Sequence, residues 1–141
     1  MPSSGGPPGR PYGPWLVDEV AFDEFLRQLS DPSARRRFTH DFVSLWDARA
    51  QRLTLALSVG DHDDAEITLL SIRSSSAMLG AIALTWSADQ LRTCLKIGDR
   101  AGAATRMPRF RTVGDRTCAE LLALEDGRDG CRRQETGAAS R

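Results

Sequence analysis

The sequence has no paired cysteine spacing. Its three cysteines, Cys94, Cys118 and Cys131, are odd in number and far apart, which excludes a disulfide framework and a zinc or redox motif and leaves them as reduced thiols. It has no apolar run long enough to cross a membrane, and its opening Met-Pro-Ser-Ser-Gly-Gly-Pro-Pro lacks the charged start and apolar stretch of a secretory signal. The expectation is a soluble, cytoplasmic protein. It also has no net charge, since 19 lysines and arginines offset 19 aspartates and glutamates. Nothing in that total draws the chain to nucleic acid or to an anionic membrane, so a protein partner or small ligand is favoured. Histidine is scarce, with only His40 and His62 available for ligand or acid–base chemistry. No glycine-rich phosphate loop follows a strand, because no stretch alternates in the strand manner for long enough.

What is present is helical periodicity between two polar ends. Residues 1–16 are rich in glycine and proline, and residues 125–141 are polar without an apolar period, so both read as disordered tails that cannot offset their ordering entropy by burial. Residues 17–124 read as one domain. A short helix is expected over 18–29, with Val20, Phe22, Phe25, Leu26 and Leu29 on its apolar side. Ser30-Asp31-Pro32 ends it and starts a long helix over 32–59, because aspartate caps free N–H groups and proline suits a first turn. That helix carries Phe38, Phe42, Leu45, Trp46, Leu53, Ala56 and Leu57 on a face interrupted only by Arg49.

Gly60-Asp61 breaks the run. Asp61, Asp63 and Asp64 then stand where the N-terminal dipole of a third helix, over 61–79, favours negative charge. A fourth helix is expected over 81–98 and a fifth over 106–124, starting around Pro108 and weakened locally by Gly114. Amphipathic helices joined by short connections predict an all-α, up-down-up-down four-helix bundle with the short N-terminal helix across one end.

On the third helix Ala65, Leu69, Ile72, Ser76 and Leu79 share the core face, and Leu70 points about 140° away from it. An apolar residue thus stands on the outward side, with Glu66, Ile67, Arg73, Ser74 and Ala77 within one or two turns of it. The run Leu70-Ser71-Ile72-Arg73-Ser74-Ser75-Ser76-Ala77-Met78-Leu79-Gly80-Ala81 resembles the signature of the histidine-phosphotransfer (HPt) family, roughly His-x-Leu-Lys-Gly-Ser-Ala-x-x-Leu-Gly-Ala. Ile72 matches the core leucine, Arg73 the lysine and Ser75 the serine, and Leu79, Gly80 and Ala81 match its close. Leu84, Ala88 and Leu91 suit the family's next helix, so the resemblance covers roughly Val17 to Leu124.

Three departures bear on function. Leu70 replaces the phosphate-accepting histidine, Ser74 replaces the glycine that gives a partner access to it, and Arg92 stands where an acidic residue is common. Leucine has no nucleophilic atom, so phosphoryl transfer through this position is excluded. The resemblance implies a bundle whose face around Leu70 docks a response-regulator receiver domain, with a histidine kinase as a second candidate partner. The expected protein is therefore a non-enzymatic, cofactor-free and metal-free pseudo-phosphotransfer module. Its partner-binding residues are expected to be Glu66, Ile67, Leu70, Arg73, Ser74 and Ala77, with Arg73 near the middle.

Two other readings stand beside it. One is a divergent phosphotransfer protein using another residue, and the other is a helical scaffold or dimerisation protein outside signalling. His62 in Gly-Asp-His-Asp-Asp is explained by the helix start rather than by metal, with no second histidine or cysteine at ligand spacing. His40 reads as a surface histidine, and Arg35-Arg36-Arg37 as a solvated face. Trp15, Trp46 and Trp86 read as anchors of a core or covers of a helix end.

Overall fold

The computed structural model describes residues 17–29 and 31–139, so the expected tail over 1–16, Trp15 included, lies outside the described residues. Five helices follow in order: α1 (Glu19–Gln28), α2 (Pro32–Val59), α3 (His62–Met78), α4 (Ile82–Lys96) and α5 (Arg100–Ala139). No strand occurs among the described residues.

Local chemistry sets most of the boundaries. Asp18 caps α1, accepting from the amides of Val20 at 3.1 Å and Ala21 at 3.2 Å. Asp31 caps α2 through the Ser33 amide at 3.0 Å, and Asp61 caps α3 through the Asp64 amide at 3.1 Å. The three turns that follow α2, α3 and α4 close alike. A glycine at positive φ lets the next amide reach back to a helix carbonyl: Asp61 to Ala56 at 2.9 Å, Ala81 to Ser76 at 2.8 Å, and Asp99 to Cys94 at 2.8 Å. Turns this short force successive helices antiparallel, and α5 returns to lie against both α4 and α2.

The core is drawn from all four long helices: Phe42, Trp46 and Leu53 of α2, Leu69 and Ile72 of α3, Leu84 and Leu91 of α4, and Phe110 and Leu121 of α5. The Trp46 and Phe110 rings meet at 5.5 Å between centroids. α1 lies across one end of the bundle. There the Phe25 ring packs edge-on against Phe38, the Asp18 amide donates to the Gly80 carbonyl at 2.7 Å, and the Val17 amide donates to Glu120 at 2.9 Å. A Cβ on Gly80 would fall 2.8 Å from the Asp18 carbonyl oxygen, so the residue before Ala81 must be glycine both for its left-handed turn and to seat α1.

Several expectations are corrected. The last helix begins at Arg100, not near Pro108, because Asp99 supplies the cap to the Gly102 amide at 2.8 Å. Pro108 sits inside α5 on its exposed side, one turn after exposed Ala104, and burial of Ala103 and Phe110 on either side holds the helix through it. Leu124 is not its end either: α5 runs to Ala139, and Glu125 is buried with its carboxylate accepting from the Thr39 hydroxyl at 3.1 Å. Leu45 is exposed, since it lies about 100° round the helix from Trp46 and so outside the core face. Val20 likewise faces outward. No described helix is long and apolar enough to cross a membrane.

Candidate functional site

The outward side of α3 follows from its packing. With α2 on one flank and α4 on the other, the residues turned inward are Ala65, Thr68, Leu69, Ile72 and Ser76. What remains outside is a strip in which Ile67 is 59% exposed, Leu70 40% and Met78 47%, whereas Leu69 is 0% exposed. Ser74 and Ala77 are also exposed and lie between these apolar groups. Ile67, Leu70, Ser74 and Ala77 thus share one face, as the periodicity predicts.

Glu66 and Arg73 do not sit in the middle of that face. Both are drawn to its border with α4. The Arg73 guanidinium donates to Asp89 at 2.7 Å, and Arg92 donates to Glu66 at 3.2 Å while lying 3.6 Å from Asp89. The expected central position of Arg73 is corrected accordingly. Arg92 has a structural role here, bridging the two acids. These pairs are partly exposed, so each contributes under about 1 kcal/mol, but together they fix a charged edge beside the apolar strip.

The other flank carries a further ion pair. Arg52 of α2 holds both carboxylate oxygens of Asp64, with its Nε at 3.0 and 3.1 Å. These hydrogen bonds keep the Asp64 carboxyl below its ordinary value, partly opposed by desolvation, and Asp64 raises Arg52 in return.

Met78, Asp89 and Arg92 complete the surface and were not among the expected contacts. Met78 is legible in retrospect, since it lies four residues after Ser74 on the same helical face. Asp89 is not, because its pairing with Arg73 is a contact between two helices. His62 is exposed at the start of α3, about two turns from Leu70, and His40 is exposed on α2. Neither stands beside Leu70. Among the described residues no group of three or more His, Cys, Asp or Glu side chains is arranged to hold a metal ion. The site offers an apolar strip with a charged border.

No protein-family model matches the chain, and no curated protein matches it in sequence. Among solved structures, it is similar to the crystal structure of the histidine-containing phosphotransfer protein ZmHP2 from maize, at 23% identity and a TM-score of 0.64, over 77% of this chain and 90% of that one. The short crossing helix, the four antiparallel long helices and the outward face of α3 thus make up the fold of a histidine-containing phosphotransfer protein.

Proposed function

We propose that this chain is a non-enzymatic, cytoplasmic signalling module that holds a response-regulator receiver domain on the outward face of α3 without accepting phosphate. One observation carries the reading: Leu70, at the position where the HPt signature has its histidine, is turned to solvent while its neighbour Leu69 is fully buried. A leucine kept at the centre of an exposed strip, between Ile67 and Ser74, can bury apolar surface against a partner but has no lone pair with which to take a phosphoryl group. Covering Ile67, Leu70 and Met78 contributes on the order of 1 kcal/mol per side chain, and the Arg73–Asp89–Arg92–Glu66 edge supplies a polar rim that fixes orientation. The likeness to a histidine-containing phosphotransfer protein supports a place in a phosphorelay, with a histidine kinase as the second candidate partner.

The test is titration of purified receiver domains into this protein and into Leu70→Asp. Saturable binding that weakens at least tenfold in the variant, with the helical circular dichroism unchanged, is the expected result. Incubation with phosphorylated receivers and mass measurement is expected to show no stable phosphate. Phosphate on His62 or His40 would instead favour the divergent phosphotransfer reading. Failure of every receiver to bind would favour the scaffold.

A further inference from the structure

The two ends of the bundle are unlike. α1 covers the end formed by the start of α2 and the close of α3, whereas no described residue covers the opposite end, where α2 and α4 finish and α3 and α5 begin. That end holds a cavity of about 480 Å³, open to solvent on one side. Its volume is in the range of small-molecule sites. The space exists because the converging helix ends carry alanine where a bundle core carries larger groups: Ala56 and Ala65 are buried beneath it and Ala104 lines it from α5, with Leu57, Leu95 and Met107 completing an apolar lining. The hydroxyls of Thr54 and Ser58 at the edge are spent on their own helix, on the carbonyls of Ala50 at 2.9 Å and Leu55 at 2.8 Å.

One charge at the mouth is uncommitted among the described residues. The Arg100 guanidinium lies over Gly60, where a Cβ would meet its Nη2 at 3.4 Å, and it makes no hydrogen bond or ion pair with any described residue. Asp61, the acid among the lining residues, is engaged as the cap of α3. His62 borders the same mouth.

From this combination we infer that the open end of the bundle is a second binding site, for a small amphiphilic carboxylate whose apolar body fills the alanine-walled cavity and whose head pairs with Arg100. The inference is independent of what docks on α3. The substituents on such a ligand are bounded by the cavity, which admits a medium-length alkyl chain or an aromatic ring and no extended polymer.

The experiment is calorimetric and NMR titration of the full chain with octanoate, 1-octanol and octylamine. Octanoate is expected to bind saturably at one site and more tightly than the other two, with amide shifts concentrated at residues 54–65 and 95–107. Arg100→Gln should weaken octanoate by about three- to fivefold, as an exposed ion pair allows, and leave 1-octanol unchanged. Ala104→Trp, at an exposed position, should abolish binding of all three while thermal unfolding stays as in the parent. Ala101→Phe at the same rim should do likewise, which guards against a folding defect in the first variant. Absence of saturable octanoate binding would overturn the site, as would undiminished binding in both folded rim variants. Tighter binding of octylamine than of octanoate would overturn the assignment of an anionic head.

Discussion

The indole of Trp46 occupies the space that a side chain on Gly114 would need: a Cβ built at Gly114 would collide with the six-membered ring of the indole. The ring is fixed along the same edge, since its Nε1, bonded to Cε2, donates to Asp115 at 2.8 Å. The residue that weakens α5 by helix propensity is therefore the one that lets α2 and α5 close.

Gly114→Ala is accordingly expected to destabilise the protein. Overpacking costs about 1–3 kcal/mol and the gain in helix propensity returns about 1, so the net loss should reach up to about 2 kcal/mol in urea unfolding. An unchanged midpoint would show that Trp46 can retreat without cost.

Leu69 and Leu70 provide a paired test of the α3 face. Leu69→Asp should leave the chain unfolded, because it buries an unpaired carboxylate in the core, whereas Leu70→Asp should change stability by less than about 0.5 kcal/mol. Circular dichroism melts of the two variants distinguish these outcomes.

Restoring the acceptor tests the same face by gain of function. Leu70→His alone is expected to take little phosphate from a bound receiver, because the Ser74 side chain, one turn away, crowds the in-line approach. Leu70→His with Ser74→Gly should take more, as read by intact mass after incubation with a phosphorylated receiver. Arg73 is held to Asp89 at 2.7 Å, so adding Asp89→Asn to the double variant should free the guanidinium and raise transfer further.

Cys118 is buried, and its thiol is pushed up to about 11 by desolvation first and by the Asp115 carboxylate second. In the folded protein it should resist alkylation at pH 8 and react at the rate of free thiol only on unfolding. Because the folded value lies above the ordinary value of 9.0, the native state holds the proton longer. Stability from this group is therefore fully present below pH 9 and is lost as pH rises from 9 toward 11. Cys118→Ala should flatten that slope.

Glu125 tests the extent of the domain. Removing its carboxylate with Glu125→Ala leaves the buried Thr39 hydroxyl without its acceptor and should cost about 1–3 kcal/mol. A neutral effect would place the end of the cooperative unit before Glu125.

Much of the fold was legible without coordinates. Asp31-Pro32, Gly60-Asp61 and Gly80 mark helix ends by chemistry local to a few residues, and the three-and-four spacing of Phe42, Trp46, Leu53, Leu69, Ile72 and Leu91 names core positions, so the four-helix bundle and the outward turn of Leu70 followed from periodicity alone. The start of α5 has a local signal as well, a second Gly-Asp pair at Gly98-Asp99. Other features are decided only when helices meet. A proline inside α5 is tolerated because Ala103 and Phe110 are buried on either side of it, and Glu125 belongs to the core because Thr39 of another helix reaches it. Arg73 lies at the border of the docking face, not at its middle, because Asp89 pulls it there. The open cavity at one end exists because four helix ends converge there, with alanines of α2, α3 and α5 among its lining. Backbone propensity and side-chain period act over one or two turns of a single helix and can be read in order along the chain. Ion pairs, close approaches and empty space depend on the distance between residues far apart in that order, which only the packed bundle sets.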